Sequence, residues 1–216
     1  MKGLLKKDLY QMWYYTGGIV LACVAMMAVS VVTLGHGNTF FMVYAGFLLG
    51  MSPMSLQAYD ENSRFDCYSA GLPVTRAQLV GCKYLIGLCT VLLAELLAAA
   101  AFGVAGLYWE TVSTELMFST LMQVAGATLL SSTILLPLTY RLGFEKAKYI
   151  YYLCIGLIAA WMGFGVAAND GVSGTGMNLL PAGVSPLVPL GVMLACLVLY
   201  AASWRLSVAW YGKAER

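Results

Sequence analysis

The sequence predicts an all-α integral membrane protein: six transmembrane helices in a single domain spanning residues 1–216, with both termini cytoplasmic. Three observations carry that expectation. First, 61% of the 216 residues are hydrophobic and 10% charged, with mean hydropathy +0.79, whereas soluble domains carry about 25% charge. Second, apolar runs approaching the roughly 20 residues that cross a bilayer recur along the whole chain. Third, all twelve Lys and Arg fall on one side once those runs are taken as spans.

Each element follows in order. "MKGLLKKDLYQMW" places Leu5, Leu9 and Met12 on one helical stripe beside the cations Lys2, Lys6 and Lys7. It reads as a short helix in the inner headgroup layer, residues 1–13, or as a plain positive flank that sets orientation. The runs that follow are Tyr15–Leu34, Thr39–Leu56, Tyr84–Tyr108, Leu116–Tyr140, Tyr149–Ala168 and Leu187–Trp204. Helices are expected, because a single-chain barrel would show short alternating segments. The first run continues past Cys23 to Leu34, longer than a removable signal core. Between spans five and six, Asn169–Pro189 holds Gly171, Gly174, Gly176, Gly183, Pro181, Pro186 and Pro189. It cannot be one continuous helix, and reads as an outer loop or a broken segment shielded from lipid.

Orientation comes from the basic residues. Lys2, Lys6 and Lys7 precede span one; Arg64, Arg76 and Lys83 lie between spans two and three. Arg141, Lys146 and Lys148 lie between spans four and five; Arg205, Lys213 and Arg216 follow span six. Cytoplasmic loops collect Lys and Arg, so this side faces the cytosol and the chain belongs to the cytoplasmic membrane. Trp13, Tyr14, Tyr15, Tyr140, Tyr149, Tyr151, Tyr152 and Trp204 fall at the same ends, where amphipathic rings favour the headgroup layer.

Several function classes find no support. Net charge is only +2, so no nucleic-acid footprint is expected. Cys23, Cys67, Cys82, Cys89, Cys154 and Cys196 show no CxxC spacing and His36 has no second histidine, so no metal is expected and structural thiols are the reading. A G-x-x-x-x-G-K-[ST] phosphate loop is missing, the Gly212–Lys213 pair being followed by Ala214.

The polar passage "YDENSRFDCYSAGLPVTRAQ", Tyr59–Gln78, interrupts the apolar pattern. Ser63 with Asp66 suggests a helix N-cap, and Gly71 with Pro73 a stop, giving a short helix over Arg64–Ala70. Phe65, Tyr68 and Leu72 would share a face. Thr75 and Gln78 form a second T-x-x-Q capping box, so span three is expected to begin there, before its apolar run. The whole reads as a rigid lever feeding span three, or as a solvated connector with accidental caps.

The stretch "YDENSRFDCYSAGLPVTRAQLVGCKYL" resembles the loop of small type-2 (type V) ABC exporter permeases, with its D-E pair, "LPV-[ST]-R" corner and basic "KY". "MKGLLKKDLY" resembles the opening of that group, which includes exporters of phenol-soluble modulins. The resemblance implies that Asp60, Glu61, Arg64, Phe65, Asp66 and Tyr68 couple to a separate cytosolic ATPase, with Thr75 and Arg76 at the corner into span three. It also implies two ATPase copies carrying ATP and Mg, no cofactor on this chain, a second permease copy or homologous permease, and export of amphipathic peptides or lipophilic compounds.

Within the membrane, Glu95 lies mid-span in "VLLAELLAAA". A charge there costs about 2.5–3.5 kcal/mol on insertion scales. It reads either as a translocation-pathway residue or as a neutral acid bonded to a hydroxyl on a neighbouring span. Gly46 and Gly50 form GxxxG, which permits close helix approach, and Pro53 and Pro137 are expected to kink spans two and four. The rival readings are an integral-membrane enzyme, for which no GxSxG, carboxylate pair or metal cluster is found at a span end, and a non-transporting membrane subunit.

Overall fold

The computed structural model describes residues 2–34, 39–65, 71, 75–109, 113–153, 156–157 and 187–214. Those residues form helices. They are α1 (Lys2–Tyr15), α2 (Gly17–Leu34), α3 (Phe40–Leu49), α4 (Ser52–Asn62), α5 (Arg76–Tyr108), α6 (Thr114–Leu142), α7 (residues 144–153) and α8 (Leu187–Ala214). Among the described residues, four helical stretches are long and apolar enough to cross a membrane, and five if α1 and α2 count as one span bent by 57°. The fifth run read from the sequence, Tyr149–Ala168, falls mostly outside the described residues, as does most of Asn169–Pro189.

Helix α6 is the hub, packing against α3, α5 and α8. One core gathers Cys23, Met27, Met42, Leu49, Ala98, Phe102 and Val124 from α2, α3, α5 and α6. A second joins Val80, Tyr84, Leu129, Leu136, Cys196 and Tyr200 from α5, α6 and α8. Outside these cores the surface is greasy: Leu21, Leu92, Leu96, Leu107, Leu153 and Val198 are all exposed. A water-soluble monomer does not present apolar surface on that scale; lipid tails accept it without cost.

The close approach expected of GxxxG occurs, within the chain. Gly46 and Gly50 lie against α6, where Thr128 Oγ1 donates to Gly46 O and Ser132 Oγ to Gly50 O, both at 3.0 Å. Neither hydroxyl could reach a helix backbone through intervening side chains.

Span two departs from expectation. Its apolar run suggested Thr39–Leu56, but the helical stretch runs from Phe40 to Asn62 with a break at Gly50–Met51. Pro53 does not kink a continuous helix; it sits in the first turn of α4, where a missing N–H goes unneeded. The extension past Leu56 takes Asp60 and Glu61 out of the loop and onto the end of a helix. Pro137 stays inside α6. Lacking an N–H, it leaves the Thr133 carbonyl one turn earlier without its helical partner. Ser203 Oγ of α8 donates to that carbonyl at 2.8 Å, so the proline creates an α6–α8 tie.

Span three begins where the capping box predicted. Thr75 Oγ1 accepts from the Gln78 N–H at 3.4 Å and Gln78 Oε1 from the Thr75 N–H at 3.2 Å. Helix α5 then runs 33 residues, about 50 Å at 1.5 Å per residue, longer than the hydrocarbon layer. Its first turns therefore extend past that layer as a stalk, packed rather than free, with Leu79, Val80 and Cys82 buried.

A charged junction as candidate functional site

At one end of the bundle three elements converge: the middle of α1, the last turn of α4 and the third turn of α5. Each brings charge. Asp60 Oδ1 accepts from Lys7 Nζ at 2.6 Å, and Asp60 Oδ2 accepts from Lys83 Nζ. Lys83 Nζ also meets Asp8 Oδ1 at 3.5 Å, and Lys7 Nζ lies 3.3 Å from the same oxygen. Asp8 is 1%, Lys83 2% and Asp60 6% exposed. Two lysines and two aspartates thus form a closed, neutral quartet, and burial without that pairing would cost several kcal/mol per ion.

The sequence explains why these residues meet. Lys83 interrupts the apolar run "LVGCKYLIG", so it must find acids rather than water. On α1, Leu4 and Asp8 lie one turn apart, and the face they share turns inward while Lys6, Leu9, Tyr10, Trp13 and Tyr14 turn out. The helix is therefore amphipathic with its polar edge against the protein and its aromatic face free. Trp13 is 86% and Tyr10 76% exposed, as suits a helix lying against headgroups.

The neighbouring acid goes elsewhere. Glu61 Oε2 accepts the N–H of Phe144 at 3.2 Å, capping the first turn of α7, where the helix dipole favours an anion. The turn before it is made by Gly143 at φ +78°, a conformation other residues rarely adopt. The short helix expected over Arg64–Ala70 falls mostly outside the described residues, of which Phe65 is helical; its expected cap is Ser63. That residue closes α4, its N–H bonding Tyr59 O at 2.9 Å, and Arg64 turns the chain at φ 51°. Phe65 then lies under Lys7, whose Nζ sits 3.5 Å from the ring centroid, a cation–π contact.

Of the residues singled out in the sequence, Asp60, Glu61, Arg64 and Phe65 gather at this junction, and Thr75 caps the stalk that carries Lys83. Arg76 opens α5. Asp66 and Tyr68 lie outside the described residues. Glu95 does not join them: it is twelve positions beyond Lys83 along α5, about 18 Å. Its Oε1 is buried with no hydrogen-bond partner among the described residues. Sequence reading missed Asp8, took Lys7 as a cation of the interfacial helix, and took Lys83 as a marker of orientation and the basic residue of the "KY" motif. The available signal was Lys83 itself, a cation flanked on both sides by apolar residues.

Next to the quartet, the polar groups of α5 and α8 satisfy one another. Tyr84 OH lies 2.8 Å from Ser203 Oγ and 2.7 Å from Ser207 Oγ, and Tyr200 OH donates to Tyr84 O at 2.6 Å. Among the described residues no three His, Cys, Asp or Glu side chains converge as a metal site would require.

Comparison with protein families gives one finding: residues 3–212 match the model of the ABC-2 family transporter proteins. No curated relative and no solved structure gives a match.

Proposed function

The chain belongs to the ABC-2 transporter family, and from that premise we propose that it is the permease subunit of an exporter driven by a separate cytosolic ATPase. Two permease copies, or one with a homologous partner, would bracket the pathway, and two ATPases would carry ATP and Mg. The termini and the junction would face the cytosol, with the chain crossing the cytoplasmic membrane six times. Amphipathic peptides or lipophilic compounds entering from the inner leaflet are the proposed cargo, on the strength of the loop resemblance.

The observation that carries this reading is the junction's construction. The segment from Asp60 to Phe65 is tied to α7 through Glu61, to α1 through Phe65 and Lys7, and to the α5 stalk through Asp60. A partner pressing on Arg64 and Phe65 would therefore act on three elements at once. Asp60 itself is engaged by both lysines, so its part is to hold the segment rather than to meet the ATPase. Glu95 is assigned to the pathway, as an acid with an unmatched oxygen beside the α5–α6 contact.

Co-purification tests the proposal. A candidate cytosolic ATPase should be captured by the native permease from detergent-solubilised membranes, and its hydrolysis should respond to permease. Phe65→Ala with Asp66→Ala should weaken both while membrane insertion persists. Undiminished capture and stimulation by the double variant would overturn the assignment of this segment.

A further inference from the structure

We infer that Lys83 is a positioning residue, the buried centre of a charge joint that holds α1 and the end of α4 onto the α5 stalk so that the three move as one body. Its purpose rests on the transport reading above; its existence rests on geometry alone.

Lys83 is eight positions into α5, and both acids that meet it come from other elements, Asp8 of α1 and Asp60 of α4. Its side chain is 3% exposed, against 34% for Lys7. The two lysines therefore differ in kind. Lys7 is the rim of the joint, open to solvent and stacked on Phe65. Lys83 is its centre, with no water to replace a lost partner. The four charges sum to zero, so removing one leaves another buried and uncompensated.

Directionality follows from chemistry. Apolar side chains slide past one another at little cost, whereas a buried ion pair fixes both separation and register. From Phe65 the contacts run through Lys7 to Asp60 and on to Lys83. The last of these is a residue of the stalk, lying along α5 between Val80 and Tyr84, which pack in the second core. Displacement of the 61–65 turn would arrive at α5 through that chain, and α1 would be carried along by Asp8. The joint makes α1 part of the lever, and α1 presents Tyr10, Trp13 and Tyr14 outward. A rocking α1 would drag an aromatic face through the headgroup layer.

The test uses the purified full chain in nanodiscs of mixed zwitterionic and anionic phospholipid, read by hydrogen–deuterium exchange. In Lys83→Met, amides of residues 2–15 should exchange about tenfold faster, the mark of local opening, while those of residues 120–135 hold their protection. Lys83→Arg, which keeps the charge, should remain close to native. Asp8→Asn combined with Lys83→Met leaves Lys7 and Asp60 as a neutral pair and should restore most of the lost protection. Equal α1 exchange in the native chain and Lys83→Met would overturn the inference. So would a charge-balanced double variant that opens as widely as the single one. Should Lys83→Met fail to fold, Lys7→Gln at the rim carries the same comparison with an expected rise of about threefold, and no rise would overturn it. No ATPase enters this assay. A permease that captures no ATPase therefore sinks the transport reading and leaves the joint standing, while unchanged exchange does the reverse.

Discussion

Gly50→Ala offers the sharpest check on the packing that holds span two to the hub helix. A Cβ at Gly50 would lie 2.7 Å from Ser131 Cβ and 2.7 Å from the Thr128 carbonyl oxygen, where carbon contacts settle near 3.5–4.0 Å. One of those neighbours is backbone, so no rotamer change relieves it, and the α3–α4 break must retreat from α6 by close to an ångström. Overpacking of this kind costs about 1–3 kcal/mol. The retreat also stretches the Ser132 bond to Gly50 O, worth about 1 kcal/mol. Against this, Gly50 is already helical at φ −62°, and alanine gains about 0.5–1 kcal/mol there. The balance is a loss of about 2 kcal/mol, roughly 30-fold in the folding equilibrium. Gly103 and Gly106 of α5 meet nothing within 4 Å, so alanine at either should stabilise by about 0.5–1 kcal/mol. Denaturant titration in mixed micelles, followed by tryptophan fluorescence, separates the two cases. Native stability in Gly50→Ala, or an equal loss in Gly103→Ala, would refute the reasoning.

Three further outcomes are expected. Gly87→Ala would push a methyl into the Tyr200 hydroxyl and should cost about 1–3 kcal/mol; Tyr200→Phe in the same chain should recover part of it, measured by the same titration. Thr75→Ala removes the stalk's cap and should cost about 1 kcal/mol, appearing as faster amide exchange confined to the first turn of α5. Glu95→Gln should leave the folded yield unchanged and alter export by the assembled complex, measured in vesicles loaded with a candidate cargo; loss of folded protein would instead assign Glu95 to packing.

The sequence was most legible where local chemistry decides. The capping box at Thr75, the small-residue contact at Gly46 and Gly50, and the collection of charge at one end depend on residues a turn apart or on solvation. Hydropathy also located the candidate spans among the described residues, but placed the end of span two at Leu56 because Asp60 and Glu61 look like loop residues. They are helical because each is matched by a partner distant in sequence, at separations of 53 and 83 positions. The role of Ser63 at the end of α4 was hidden for the same reason. A serine followed by Asp66 resembles an opening cap, and only the continuing α4 makes Ser63 a closing one. Asp8 was invisible for a related reason: alone among lysines it reads as a charge on a solvated flank, until Lys83 arrives from 75 residues away.

The adjacency of Asp60 and Glu61 explains how one helix end serves several neighbours. Successive residues on an α-helix point about 100° apart, so two consecutive acids cannot address the same partner. Asp60 faces the α1–α5 side and takes both lysines; Glu61 faces the α6–α7 turn and takes the Phe144 N–H. A rotation of the last turn of α4 would loosen both sets together, and a translation along its axis would load both together. An Asn at 60 keeps an acceptor but strands Lys83 between one acid and an amide. A Gln at 61 keeps its acceptor too and loses only the dipole contribution, about 0.3–1 kcal/mol. The pair is thus unequal in consequence though identical in charge: position 60 ties α4 to α1 and α5 through two lysines, and position 61 ties it to the first turn of α7.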